Sequence, residues 1–242
     1  MTEVSDTKLG KGSDRVKEIF TDIAGEYDRV NTVISFGLIG HWRKQLVSKM
    51  RLPENGKVLE LGCGTGHLTR LIANELEEGK VYGIDLTPEM IEIADAGLPE
   101  KLREKVEFSI GRGEKLEHRS DSFDLATSAF TLRNVEDLSG VVSELKRVIR
   151  PGGMVYSLEL AKPAIPIFRE LYFFYFNRIL PFLGKLAQGN REPYQYLTES
   201  LKNFPDQDKL KKIYRDAGLV EVSYTELFGG IAAIHQGKKR EI

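Results

Sequence analysis

At residues 57–68 the chain reads Lys57-Val58-Leu59-Glu60-Leu61-Gly62-Cys63-Gly64-Thr65-Gly66-His67-Leu68, and this stretch decides the fold. An apolar run ends in three glycines at alternate positions, and apolar residues then recur at helical spacing as far as Leu76. The pattern predicts a strand, a tight turn and a helix. Because glycine has no side chain, such a turn lets a ligand approach the backbone closely.

The glycine turn alone leaves its role open. It is compatible with a dinucleotide, with S-adenosylmethionine, or with a purely structural turn. A dinucleotide site favours a third glycine one position later, where this chain has His67, which argues against NAD. The next predicted strand ends in Asp85, and a carboxylate there suits a ribose diol in either ligand.

Size and composition narrow the class of protein. A chain of 242 residues suits one α/β domain, and its net charge of -1 gives no reason to expect nucleic acid as a partner. The single cysteine, Cys63, excludes an internal disulfide and a cysteine-based metal site. Residues 1–14 lack an apolar leader, and the apolar patch at 171–176 is far shorter than the roughly 20 residues of a membrane span. We therefore expect a cytoplasmic protein, at most peripheral to the membrane.

Strands and helices alternate along the middle of the chain. The predicted strands are 57–61, 80–85, 106–110, 124–130 and 153–160, and the predicted helices are 66–76, 88–96 and 137–149. Thr87 is the expected N-cap of the second helix, and a turn at 150–153 precedes the fifth strand. This order predicts an α/β fold with a mostly parallel sheet, helices on both faces, and a closing antiparallel hairpin of strands 221–227 and 231–236.

The remaining segments suggest additions to a single domain at 15–242, after a flexible arm at 1–14. Helices at 15–30 and about 39–50 precede the first strand and form a predicted cap over the site. Residues 163–205 are rich in aromatic side chains. They are interpreted either as a buried helix pair or as a lid whose aromatic face receives an apolar substrate.

Motifs spread along the chain resemble those of class I S-adenosylmethionine-dependent methyltransferases, and within them the quinone C-methyltransferases of the demethylmenaquinone and ubiquinone-precursor type. The matching segments are Val16-x-x-Ile19-Phe20-x-x-Ile23-Ala24-x-x-Tyr27-Asp28-x-x-Asn31, Leu59-Glu60-Leu61-Gly62-Cys63-Gly64-Thr65-Gly66, Gly83-Ile84-Asp85-Leu86, Leu132-Arg133-Asn134-Val135, Leu158-Glu159, Tyr194-x-Tyr196-Leu197-x-x-Ser200 and Gly229-Gly230-Ile231-x-Ala233-x-His235-x-Gly237. The first, fourth and last of these are the most specific.

The resemblance implies a Rossmann-like, seven-stranded methyltransferase fold, with S-adenosylmethionine as donor, a prenylated quinol as acceptor and no metal. It also implies a set of cofactor-binding residues. These are Glu60, Gly62, Gly64, Thr65, Gly66, Asp85, Leu86, Met90, Arg112, Gly113 and Ala129.

Four positions depart from the family pattern. Glu60 stands where the family usually has Asp, and His67 stands where an Asp usually follows the third glycine. Arg112 replaces a short acid or amide at the adenine, and Ala129 replaces a serine. An arginine offers only donors, so adenine recognition is left to the backbone or to Glu114.

The resemblance also implies catalytic roles. Arg133 would stabilise developing charge on a ring oxygen, Asn134 would orient the hydroxyl or a water, and Tyr27 would bind the ring oxygen or relay its proton. From the residues alone, the pattern favours a surface ion pair of Arg133 with Glu136 or Asp137, whereas Tyr27 is equally well explained as core packing. His235, in a predicted strand, is interpreted as structural.

Two other functions stay open: methylation of another small or lipidic acceptor, and a non-catalytic prenyl-lipid-binding member of a biosynthetic complex. A prenyl-tailed substrate would bring residues 165–187 into transient contact with a membrane. The sequence leaves a homodimer open.

Overall fold

The computed structural model describes residues 21, 32, 35, 37–175, 178 and 192–241, with the backbone alone at 192–195. Its strands are β1 (Lys57–Leu61), β2 (Lys80–Asp85), β3 (Val106–Ile110), β4 (Phe123–Ala129), β5 (Ile149–Leu160), β6 (Leu219–Leu227) and β7 (Ala232–Lys239). Within the described residues they form one sheet in the order β3-β2-β1-β4-β5-β7-β6.

The first five strands run parallel to their neighbours, whereas β7 lies antiparallel to both β5 and β6. This confirms the predicted mostly parallel sheet and its antiparallel C-terminal hairpin. The carboxyl ends of parallel strands meet at one edge, and the strand order reverses direction between β1 and β4. Ligands of open α/β sheets bind at such a switch point.

Helices cover both faces of the sheet, as predicted. They are α1 (Ile39–Lys49), α2 (His67–Glu75), α3 (Pro88–Ala96), α4 (Leu138–Val148), α5 (Pro166–Phe174), α6 (Glu192–Asn203) and α7 (Gln207–Asp216). Apolar residues of α1 and α2 are buried against one face, and those of α4 and α7 against the other. The core therefore consists of two apolar layers separated by the sheet.

Some boundaries differ from the prediction. Strand β5 begins at Ile149 and not at 153, because Ile149 pairs with Phe123 before the chain turns at Gly152, where φ is +79°. Thr87 occupies the N-cap position of α3, but its side chain makes no capping hydrogen bond. The predicted N-cap position of Thr87 is confirmed, and its backbone N–H donates to Asp85 Oδ1 at 3.0 Å.

His235 lies on β7 and is buried. Its Nε2 is 2.9 Å from the carbonyl oxygen of Gln207, and burial lowers its pKa to about 4. A buried imidazole bonded to a backbone carbonyl between β7 and α7 agrees with the structural role expected for this residue.

The predicted additions to the sheet are only partly described. Apart from Thr21, the arm and the predicted helix at 15–30 lie outside the described residues, whereas the second cap helix is present as α1. On helix α5, Ile167, Leu171 and Phe174 are 76%, 68% and 59% exposed. The interpretation of the aromatic segment as buried helices is therefore wrong for this face of α5. The division of the chain into cap, core and lid stays a prediction.

Candidate functional site

The glycine turn after β1 adopts a backbone that other residues rarely adopt. Gly62, Gly64 and Gly66 have φ values of +70°, +52° and +77°. The N–H groups of Gly62 and Cys63 donate to the carbonyl oxygen of Ile84 at 2.7 and 3.1 Å, which fastens the turn to the end of β2. Left-handed φ values explain why glycine recurs here.

Asp85 joins the two turns at the ends of β1 and β2. Its Oδ2 accepts from the N–H of Gly64 at 2.8 Å and its Oδ1 from the N–H of Thr87 at 3.0 Å. Burial raises the pKa of Asp85, and these hydrogen bonds oppose that rise. Its carboxylate oxygens only accept hydrogen bonds, so the side chain is suited to the hydroxyls of a ligand.

A cavity of about 740 Å³ opens beside these turns, at the carboxyl ends of the parallel strands. Most of the residues predicted to bind a cofactor lie around it, together with Asn134. The lining residues are Leu61, Gly62, Gly64, Asp85, Leu86, Thr87, Met90, Gly111, Arg112, Gly113, Glu114, Phe130, Thr131, Asn134, Val135 and Glu136.

Other predicted residues lie outside this lining. Thr65 is buried within the turn, Gly66 occupies the N-cap of α2, and Ala129 ends β4. Glu60 and Arg133 are both buried away from the cavity wall. The sequence alone did not distinguish predicted cofactor residues that line the cavity from those that lie behind its lining.

The turn after β1 is packed against the loop after β4. The hydroxyl of Thr131 donates to the carbonyl oxygen of Gly62 at 3.3 Å. A Cβ atom on Gly62 would lie 2.0 Å from Thr131 Oγ1. The loop after β4 can therefore approach the glycine turn only because Gly62 has no side chain.

Glu60 carries a buried carboxyl group on the face of β1 that packs against α2. It accepts a hydrogen bond from the hydroxyl of Thr69 on α2. Burial raises its pKa to about 7, while the hydrogen bond and the positive charges of Arg43 and Arg70 oppose that rise. The group therefore titrates near neutral pH, which the sequence did not predict.

Arg133 forms a buried ion pair with Glu159, at the end of β5. Arg133 Nη1 is 2.8 Å from Glu159 Oε2, and the two side chains are only 5% and 2% exposed. Glu159 Oε1 also accepts from the N–H of Leu132 at 2.7 Å. The interpretation of Arg133 as a surface ion pair with Glu136 or Asp137 is therefore wrong.

Asn134 connects the cavity wall to helix α6. Its Nδ2 donates to the carbonyl oxygen of Phe130 at 3.3 Å, and its Oδ1 accepts from the hydroxyl of Tyr196 at 3.2 Å. The guanidinium of Arg133 lies 5.6 Å from the centre of the Phe130 ring. The positive charge of Arg133 also acts on the hydroxyl of Tyr196, so Arg133, Asn134 and Tyr196 belong to one polar cluster beside the cavity.

The sequence assigned no role to Glu159, Tyr196 or Thr131. An acidic residue in the apolar strand that precedes Lys162 was a usable signal, because a buried carboxylate needs a donor or a cation. No periodicity or spacing points to Tyr196. The third predicted catalytic residue, Tyr27, lies outside the described residues, and its role stays a prediction.

Aromatic side chains lie next to this cluster. The Trp42 ring is 6.3 Å from those of Phe130 and Phe228, and Phe228 also contacts His41 edge to face at 5.8 Å. Half of the Phe228 surface is exposed. In this group, the aromatic wall, Trp42 and Phe130 are buried, and Phe228 carries the exposed apolar surface.

The described residues contain neither a group of metal ligands nor a membrane-spanning helix. Among them, no three His, Cys, Asp or Glu side chains are placed to hold a metal ion. None of the described helices is both long enough and apolar enough to cross a membrane.

Comparison with known sequences identifies the family of the chain. The sequence model of the ubiE/COQ5 methyltransferase family matches residues 6–239. The chain is 38% identical to a demethylmenaquinone methyltransferase of Geobacillus stearothermophilus, covering 94% of this chain and 97% of that one. It is 35% identical to the demethylmenaquinone methyltransferase of Staphylococcus aureus (strain JH9), covering 98% of both chains.

A solved structure supports the fold. A SAM-dependent methyltransferase from Thermotoga maritima superimposes with a TM-score of 0.65, covering 92% of this chain and 99% of that chain. Its sequence identity of 22% limits the comparison to the fold. The fold agrees with the predicted Rossmann-like methyltransferase architecture.

We expect Glu60 to make the stability of the protein depend on pH. Because its folded pKa of about 7 exceeds the usual 4.5, the unfolded chain loses this proton first as the pH rises. The free energy of unfolding should therefore fall between pH 4.5 and 7, by about 3 kcal/mol at 1.36 kcal/mol per pKa unit. Glu60→Gln should remove this fall.

Chemical denaturation at several pH values measures the effect as the difference between wild type and variant. His235 contributes the opposite slope, because its folded pKa is lowered, but it is common to both proteins and cancels. The exposed Glu107→Gln is the matched control and should show no such difference. Equal pH profiles for wild type and Glu60→Gln would contradict the expectation.

Proposed function

Because the chain belongs to the ubiE/COQ5 methyltransferase family, we propose that it transfers a methyl group from S-adenosylmethionine to a ring carbon of a prenylated quinol of the demethylmenaquinol type. The likeness to demethylmenaquinone methyltransferases supports this acceptor. The observation that carries the proposal is the position of Asn134, which lines the donor cavity and belongs to the polar cluster of Arg133 and Tyr196.

The residues around the cavity fit S-adenosylmethionine. The surface that lines the cavity is mainly apolar, with a few polar groups among it, as in most small-molecule pockets. Asp85 would accept from the ribose hydroxyls, and Gly62 and Gly64 would allow close approach to the backbone. Leu86 and Met90 would pack against the adenine.

The remaining cofactor residues would act at the rim or from behind the wall. Arg112 would donate to the adenine, with Gly113 leaving space and Glu114 accepting from the exocyclic amine. Glu60 would favour the methionine ammonium by its charge. Thr65, Gly66 and Ala129 would hold the shape of the loops.

When bound, S-adenosylmethionine supplies an electrophilic methyl group on a sulfonium. The protein must hold the acceptor carbon roughly 3–3.5 Å from that methyl, in line with the sulfur. The carbon gains the methyl group and loses its hydrogen as a proton. Placement of the ring by the polar cluster therefore determines the rate.

Arg133 would favour the reactive, ionised form of the quinol. An unperturbed phenol has a pKa of about 10, so the carbon is poorly nucleophilic at neutral pH unless charge on the ring oxygen is stabilised. Arg133 keeps its charge permanently, and its Nε makes no hydrogen bond within the part of the chain that the structure describes. That N–H is suited to a ring oxygen, with burial strengthening the attraction.

Asn134 and Tyr27 complete the proposed catalytic set. Asn134 would orient the ring hydroxyl or a water next to the cavity. Tyr27, from the predicted cap, would bind the ring oxygen or relay its proton.

The prenyl tail would leave the site across the aromatic wall toward helix α5. The exposed Ile167, Leu171 and Phe174 form an apolar face on this helix. Such a face suits transient contact with the membrane that holds the substrate, through residues 165–187. In this proposal the protein would act in the cytoplasm, at the membrane surface.

A product assay tests the function. Purified protein, S-adenosylmethionine and chemically reduced demethylmenaquinone should give a product heavier by one methylene unit, with the methyl on the ring carbon by mass spectrometry. Omission of the reductant should abolish the product. No methylated quinol, despite calorimetric binding of S-adenosylmethionine, would overturn the assigned acceptor.

Arg133 variants should separate turnover from donor binding. We expect Arg133→Ala to lower kcat by roughly 10²–10³-fold, as when a donor to a developing oxyanion is removed. Arg133→Lys keeps the positive charge, so its kcat should fall less than that of Arg133→Ala. Donor Kd should stay within about threefold in both, because Arg133 lies outside the cavity lining.

The matched control is Arg150→Lys, whose partner Asp124 lies at the opposite end of the sheet. It should leave kcat unchanged. Near wild-type kcat in both Arg133 variants would remove the proposed role of this residue.

A further inference from the structure

Tyr196 occupies a position in the polar cluster that the proposed reaction has not yet used. It lies on α6 and is half-buried, and its hydroxyl reaches Asn134 Oδ1 at 3.2 Å. Since Asn134 lines the donor cavity, this hydroxyl lies one side chain beyond it. A ring placed against Arg133 for methyl transfer would reach the same region.

The hydrogen bonds of Asn134 fix the direction of the tyrosine proton. Asn134 Nδ2 must face the carbonyl oxygen of Phe130, because a carbonyl only accepts. Asn134 Oδ1 therefore faces Tyr196 and only accepts in turn. The single proton of the tyrosine hydroxyl points to Asn134, which leaves the lone pairs of Oη to accept from a ligand.

The burial of Tyr196 agrees with a hydroxyl that stays protonated. Burial raises the pKa of Tyr196, and the positive charge of Arg133 opposes that rise. Tyr172, the other phenol near Arg133, uses its hydroxyl differently, since it donates to the carbonyl oxygen of Ile231 at 3.4 Å. The two tyrosines share an environment but differ in their hydrogen-bond partners.

Resting on the proposed function, we infer that Tyr196 is a specificity-determining residue that accepts a hydrogen bond from a ring hydroxyl of the acceptor and so selects the reduced quinol over the quinone. A quinone offers only carbonyl oxygens, which would meet the lone pairs of Tyr196. A 1,4-quinol has two hydroxyls. The one bound by Tyr196 stays protonated, and the other ionises next to Arg133.

Fluorescence titrations under conditions that prevent methyl transfer test the inference, with Trp42 as the probe. Trp42 is the single tryptophan of the chain and lies in the aromatic wall, so a bound ring should quench its fluorescence. The ligands are a 1,4-naphthoquinone with one prenyl unit and its purified quinol, kept under argon. S-adenosylhomocysteine fills the donor site.

The wild-type protein should bind the quinol about 10-fold more tightly than the quinone, the effect of one well-placed hydrogen bond. Tyr196→Phe should raise the quinol Kd by about 3- to 10-fold and change the quinone Kd by less than about twofold. Tyr172→Phe, the matched control, should leave the ratio of the two Kd values unchanged.

Two results would overturn the inference: equal weakening of both ligands by Tyr196→Phe, or the same change of ratio in Tyr172→Phe. Steady-state assays of the same variants add a second readout, since Tyr196→Phe should raise KM for the quinol without changing KM for S-adenosylmethionine. If Tyr196→Phe selectively weakens the quinol but the wild-type protein does not methylate it, the proposed function is contradicted and the role of Tyr196 is supported.

Discussion

The buried ion pair between Arg133 and Glu159 is the interaction on which the arrangement of the site depends. Glu159, at the end of β5, binds both the guanidinium and the backbone N–H of Leu132. Burial raises the pKa of Glu159, and Arg133 opposes that rise, so each charge depends on the other. Removing one partner of a buried pair typically costs about 3–5 kcal/mol, because it leaves the other charge unpaired.

This pair holds a short segment that serves both halves of the proposed reaction. Thr131 contacts the glycine turn, Arg133 points toward Glu159, and Asn134 lines the donor cavity and binds Tyr196. Donor and acceptor sites therefore share one wall, four residues long. A shift of that wall of about 1 Å is enough to cost roughly 10²-fold in rate where two reactants must be aligned.

The sequence predicted for a physical reason which residues gather around the cavity at the ends of the strands. Parallel strands end at one edge, so the glycine turn, Asp85 and Arg112 had to converge once the strands were located. The acceptor half was harder, because the alternation of a strand stops at Phe130, whose φ is +60°. Beyond Phe130, the spacing of residues along the chain no longer tells which way a side chain points. The sequence therefore could not pair Arg133 with Glu159. Nor could it place Tyr196, whose contact with Asn134 requires α6 to fold back over the sheet.

Turnover and donor binding of Glu159→Gln test the dependence on this pair most directly. Glutamine keeps the shape and can still accept from Leu132, but it removes the charge that holds Arg133. The account predicts a kcat lowered by roughly 10²-fold, with the Kd of S-adenosylmethionine within about threefold of wild type because Glu159 lies outside the donor cavity. A folded Glu159→Gln protein with near wild-type kcat would contradict it.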